Sequence, residues 1–230
     1  MTYRRARTLV VLTGIVWLSL GISPGARAAE SDTQHWSLLV INKQFSRRWL
    51  GYFEVQPRIG EHIGALDRLL IRPAFGYRIT PKLSVWQGYG WTPQFRPDFR
   101  GEHRLFQQLL YEDTVGRVSL TSRTRLEERL IENVGGASLR FRSMLRGSLP
   151  ISADRKWLLI GYDEFFWNLN SPDGGPVSGF DQNRLFLGLG RQVNPQTRVE
   201  TGYLLNLINA PDPAPNRRLH VWVVQFTLQL

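Results

Sequence analysis

From Trp36 to the terminal Leu230, eleven short segments alternate apolar and polar side chains and keep arginine and glutamate to one face. Successive side chains of a strand point to opposite faces, so the pattern describes a sheet with one greasy and one charged side. Arg117 to Leu130 shows it best. There Ser119, Thr121, Arg123, Arg125, Glu127 and Arg129 share one face, with Val118, Leu120, Leu126 and Leu130 on the other. A membrane barrel needs this arrangement, with lipid outside and a wet lumen inside. Most segments also supply the roughly 9 to 11 residues of a lipid-facing strand.

The connections alternate in length. Short ones fall at Ser46 to Arg48, Thr80 to Lys82, Glu112 to Gly116, Ser152 to Arg155 and Asn194 to Gln196. Longer stretches rich in Pro, Gly and Asp fall at Ile59 to Asp67, Pro93 to Gly101, Asn170 to Gly179 and Ala210 to Arg217, and Glu132 to Gly136 is a shorter exception. Tight turns at one end and long loops at the other suit an all-β, up-and-down antiparallel transmembrane β-barrel of about 10 to 12 strands. Single-chain bacterial barrels have even strand numbers, so a count of eleven predicts one revision, either a strand before Trp36 or a change around Glu112 to Gly136. Two hairpins share Gly76, Pro81, Gly88 and Tyr89 with Gly190, Pro195, Gly202 and Tyr203, which turn chemistry and glycines on a crowded curved wall explain. Trp36, Trp49, Trp91, Trp157 and Trp167, near segment ends, suit the two interfacial aromatic girdles.

Composition adds a destination. Arg4, Arg5 and Arg7 precede the apolar run Leu9 to Leu20, and Ala26-Arg27-Ala28 has the small residues a signal peptidase recognises. Residues 1–28 therefore read as a cleavable signal peptide and 29–230 as one outer-membrane barrel domain, exported to a Gram-negative outer membrane. Cleavage would leave 25 basic against 19 acidic side chains, a formal charge of +6. The absence of cysteine rules out disulfides, thiol catalysis and thiolate metal sites. Arginines spread along strand faces, in an exported chain, also argue against nucleic-acid binding.

The chain from the early Trp36 onward is similar to a family of bacterial outer-membrane barrels known only as a domain of unknown function. The residues carrying the resemblance are Trp36, the hairpin Trp49 to Arg58 with Glu54 on its inner face, Leu126-Glu127, and Leu139-Arg140-Phe141-Arg142. Tyr162-Asp163-Glu164-Phe165, Arg184 to Gly188 and the terminal alternating strand also fit. The resemblance implies the barrel fold and no activity.

Taking the arginine face as the lumen gives candidate ligand-binding residues: Arg72, Arg78, Arg123, Arg125, Glu127, Arg129, Arg140, Arg142, Glu164, Arg184, Arg198 and Glu200. Arg58, Arg104, Arg146 and Glu54 share that face. Unpaired guanidinium groups attract phosphate and carboxylate, so the lumen reads as a narrow channel or binding site for small anionic solutes. In a narrow barrel, Arg and Glu on neighbouring strands can instead pair and fill the interior.

Two alternatives belong to other classes. His35-Trp36-Ser37 has the His-x-Ser spacing of lipid-hydrolysing outer-membrane barrels, and Glu54 could orient the imidazole across the hairpin. A soluble lipocalin-like barrel would reverse the faces, with arginine outside and an apolar ligand within. No nucleotide, zinc or nucleophile-elbow motif occurs, so the expectation is a non-enzyme without cofactor or metal. Its expected partners are membrane lipid, lipopolysaccharide, the barrel-assembly machinery and a small anionic solute.

Overall fold

The computed structural model describes residues 29–211 and 214–230, and residues 1–28, which the sequence reads as a signal peptide, lie outside them. The strands are β1 (Glu30–Gln44), β2 (Trp49–Gly60), β3 (Ala65–Arg78), β4 (Leu83–Trp91), β5 (Glu102–Val115) and β6 (Val118–Ile131). They continue as β7 (Ser138–Pro150), β8 (Trp157–Asn168), β9 (Gly179–Asn194), β10 (Thr197–Ile208) and β11 (Arg217–Gln229). Each pairs with its neighbours in chain order, and β1 closes on β11 to complete a barrel.

The closure corrects one expectation. All eleven strands span the wall, no strand precedes β1 among the described residues, and both hairpins between Glu112 and Gly136 are present, the first with its turn shortened to Gly116 and Arg117 because β5 runs on to Val115. An odd meander brings its first and last strands together in the same direction. The closing seam is accordingly parallel, from Glu30 opposite Arg217 to Asn42 opposite Gln229, while every other seam is antiparallel. Thirteen residues of β1 take part, so neither terminal strand is left as an unpaired edge. The first residue of β1 and the last of β11 thus lie at opposite rims. Glu30 sits at the long-loop rim, and Leu230 at the short-turn rim, where its amide donates to the Asn42 carbonyl at 2.8 Å.

The faces follow the alternation. Glu54, Arg58, Arg72, Arg104, Arg125, Glu127, Arg140, Arg142 and Glu164 are buried inside, while Leu126, Leu139, Leu159, Leu185, Leu187 and Phe226 are exposed on the outer wall. Trp49, Trp91, Trp157 and Trp167 stand outward near strand ends, but Trp36 does not: it is 2 % exposed and faces the lumen. Nor is charge confined to one face, because Glu128, Asp163 and Arg191 alternate outward between inward neighbours.

The lumen has two sectors. Trp36, Ile160, Phe186, Leu204, Leu219, Val221 and Val223 form an apolar cluster along β1 and β8 to β11. Charged side chains dominate the rest, with Leu70, Phe106, Met144 and Phe166 buried among them. Glycines of the first repeated hairpin make room for inward aromatics, since a Cβ on Gly76 would collide with the Trp86 ring and one on Gly88 with the Phe106 ring, whereas one on Gly202 would first strike the backbone of Leu187 and Gly188.

Candidate functional site

Cross-strand alternation places arginines and glutamates at facing inner positions, and their pairing fills the middle of the barrel. Glu127 on β6 is 1 % exposed and holds three guanidinium groups. Arg140 Nη2 donates to Oε2 at 2.7 Å, Arg142 Nη1 to Oε1 at 2.5 Å, and Arg125 Nη1 lies 3.5 Å from Oε1. Arg142 also reaches Glu164 at 2.7 Å, and Arg123 donates to the same oxygen at 2.7 Å. Burying these ions is costly unless every lone pair is answered, which explains why each carboxylate collects several donors.

Several ties skip a strand or more. Arg123 on β6 reaches Glu164 on β8, Arg140 on β7 reaches Asp181 on β9 at 2.9 Å, and Arg146 on β7 reaches Glu200 on β10 at 2.7 Å. Inward aromatics floor the arginines. Arg125 stacks over Phe106 at 4.0 Å, Arg142 over Phe166 at 4.4 Å and Arg58 over Trp36 at 3.7 Å. Guanidinium planes on aromatic faces gain cation–π attraction while desolvated.

Of the sequence-predicted residues, Arg123, Arg125, Glu127, Arg140, Arg142 and Glu164 form this central network. Arg129 pairs instead toward the long-loop rim, donating Nε to Glu102 at 2.6 Å, and Glu102 also binds Arg104 at 2.5 Å. Arg72 pairs with Glu54, which also accepts from the Tyr52 hydroxyl. Arg198 and Glu200 pair at 2.8 Å toward the short-turn rim. Arg184 is the loosest of the set, its Nη1 3.8 Å from Glu164 and its plane 4.6 Å from the Phe166 ring. Arg78 stands apart at that rim and donates to the Arg47 carbonyl at 3.0 Å.

The sequence reading omitted Glu102 and Asp181. Glu102 alternates with Arg104 on the inner face and was legible by the same rule. Asp181 was not, because a register shift beside Phe166 and Trp167 turns it inward out of phase. Glu54 faces the lumen, tied to Arg72 and Tyr52, so it does not orient His35 on the outer wall. His35 Nε2 and Ser37 Oγ are 2.8 Å apart, but His35 Nδ1 is buried without a partner.

Two inner cavities flank the network. One, of about 280 Å³, lies under the long loops against Arg68, Thr92, Arg100, Glu102 and Arg129. The other, of about 260 Å³, reaches toward the short turns and carries seven arginines against three glutamates. Those arginines are Arg58, Arg72, Arg123, Arg142, Arg146, Arg184 and Arg198, facing Glu54, Glu164 and Glu200. Within it, Nε of Arg58, Arg72 and Arg184 is buried without a hydrogen-bond partner. Arg58 has no carboxylate within ion-pair distance among the described residues; its Nη2 donates to Gln56 at 3.0 Å.

The family model described as "Protein of unknown function (DUF2490)" matches residues 33–217. An uncharacterised protein of Methylorubrum extorquens is 35% identical over 189 residues, covering 80% of this chain and 83% of that protein. No solved structure matches the chain.

Proposed function

The chain belongs to this DUF2490 family of unknown function, and we propose that it is an outer-membrane barrel whose lumen binds a small anion without being a freely open channel. The observation carrying the reading is the short-turn cavity, where arginines outnumber glutamates by seven to three and buried Nε groups stand without acceptors. A phosphate, sulfate or carboxylate would supply those acceptors and reduce the charge excess. Membrane residence is supported by the outward band of Leu, Phe and Trp and by the loops after β4, β8 and β10, each longer than any turn at the other rim. A soluble lipocalin-like barrel requires the opposite faces. Lipid hydrolysis draws little support from His35 and Ser37, since no carboxylate is placed to orient the imidazole.

The test starts with boiled and unboiled samples of the outer-membrane fraction on a denaturing gel, where a heat-dependent mobility shift is expected. Recovery in the soluble periplasmic fraction without a shift would overturn the membrane reading. Calorimetric titration of the folded barrel with inorganic phosphate then tests the site. Removing one charge-assisted contact, as in Arg58→Ala or Arg184→Ala, should weaken binding about 10- to 100-fold, corresponding to about 1.5–3 kcal/mol. Binding unaffected by both variants, or no binding to the wild type, would remove the anion assignment.

A further inference from the structure

Outward alternation places a polar side chain at mid-strand on six consecutive strands: Gln87 on β4, Gln107 on β5, Thr124 on β6, Ser143 on β7, Asp163 on β8 and Asn183 on β9. They form a continuous stripe. Gln87 and Gln107 are cross-strand partners, with Gln107 Nε2 donating to Gln87 Oε1 at 3.1 Å. Thr124 lies diagonal to Gln107 and directly opposite Ser143. Ser143 is diagonal to Asp163, and Asn183 Nδ2 donates to the two Asp163 oxygens at 3.2 and 3.0 Å.

The depth of the stripe matters, and this step rests on the membrane reading above. On β8, Trp157 and Trp167 both face outward, near opposite ends of the strand. Ten residue steps separate them, about 33 Å of strand. At a tilt of about 40°, that length covers the roughly 25 Å apolar band of a membrane barrel. Asp163 lies between the two tryptophans, at hydrocarbon depth. A carboxylate facing lipid there is costly, and among the described residues no cation pairs with it. The rest of the wall presents Leu205, Trp222, Val224, Leu39, Val55 and Ile71 outward. Its mid-strand polar groups are answered locally, Ser37 by His35 and Thr201 by Trp222 and the Val223 carbonyl.

We propose that the β4–β9 wall is an interface within the membrane, and that its occupant is a second copy of this chain. The argument is one of complementarity. A twofold axis along the membrane normal preserves depth, so a stripe near mid-height meets its own copy at the same height. The groups are mostly self-complementary, since amides and hydroxyls both donate and accept. The Asn183 amide of each copy can reach an acceptor of the other, and Ser143 and Gly161 beside Asp163 permit close approach, as small residues do between membrane helices. A purely lipid-covered wall would leave Asp163 without a counter-charge and the remaining capacity of the Gln87–Gln107 and Asp163–Asn183 pairs without a partner.

The chain has no cysteine, so single introduced cysteines report contact without background. Thr124→Cys, Ser143→Cys and Asn183→Cys would be treated in outer-membrane vesicles with a short bis-maleimide, with Val55→Cys and Ile71→Cys as opposite-wall controls. At least one stripe position should give a band at twice the monomer mass, and the controls none. Adding Asp163→Leu to the responding variant should cut that band several-fold. A heat-modifiable barrel that crosslinks from no stripe position, or equally from the controls, overturns the interface while leaving the membrane reading intact. A crosslinked band at another mass overturns the second copy as occupant. Loss of the heat-dependent shift in the cysteine-free parent would instead strike the membrane reading.

Discussion

Glu127 shows how one inner residue organises its neighbours, because Arg125, Arg140 and Arg142 all converge on it in a site that is 1 % exposed. Glu127→Gln preserves shape but leaves three guanidinium groups short of a counter-charge. Breaking a buried ion pair from one side costs about 3–5 kcal/mol, and a similar loss is expected here. Denaturant unfolding in detergent, followed by loss of the heat-modifiable form, measures it. Arg78→Ala is the matched comparison and should leave unfolding unchanged, since Arg78 sits at the rim, where its side chain makes one exposed hydrogen bond, to the Arg47 carbonyl. That contrast also marks what the sequence could and could not provide at this scale. Alternation placed Arg78 and Arg142 on the same inner face, which is correct, but says nothing of height along the barrel. Height decides that Arg142 joins two carboxylates while Arg78 joins none.

At the scale of elements, glycine and seam geometry decide the packing. Gly88 leaves the space that Phe106 occupies, and Arg125 stacks over that ring. Gly88→Ala therefore overpacks the wall and should cost about 1–3 kcal/mol. Phe106→Leu should recover part of that loss in the double variant, a coupling that denaturant unfolding of the four-member cycle would read. The closing seam makes a separate prediction. Parallel pairing sets Ser37 opposite Val224, both on the outer face. Ser37→Cys with Val224→Cys should oxidise to an intramolecular disulfide, visible as a shift on a non-reducing gel, whereas Leu39→Cys with Val224→Cys should not. Failure of the first pair would contradict the parallel closure. Nearly all the strands and the places where the chain turns were legible from period-two alternation and Pro, Gly and Asp punctuation, but not every length: β5 runs through Glu112 to Val115, and the expected long stretch Ile59 to Asp67 is only the four residues between Gly60 and Ala65. The closure was not, because strand parity is a habit of known barrels while the register of β1 on β11 depends on residues almost the whole chain apart. Trp36 was misread for a related reason: an aromatic near a strand end suits a girdle, and only its even position in β1, with Arg58 above it, turns it inward.

For the whole molecule, the question is whether anything passes through. Strand-skipping ties from Arg123, Arg140 and Arg146 run over the inner wall, the rings of Phe106 and Phe166 lie under Arg125 and Arg142, and the remaining space divides into cavities toward each rim. A barrel of eleven strands is narrow enough for side chains to fill. Planar bilayers containing the wild-type protein should therefore show little steady conductance. Glu127 and Arg142 hold the paired network between those ties, so replacing both by alanine removes one negative and one positive group and leaves the net charge unchanged. The double variant should conduct, with anions favoured because the surviving arginines still outnumber the surviving glutamates along the short-turn cavity. Reversal potentials under a salt gradient give the sign of that selectivity. A cation-selective opening would mean that the pairs neutralise the lumen more completely than the unpartnered Nε groups of Arg58, Arg72 and Arg184 indicate. A wide wild-type conductance would mean that the central network is not a barrier. Anion selectivity confined to the double variant would instead join the two cavities into one basic path that the network normally interrupts.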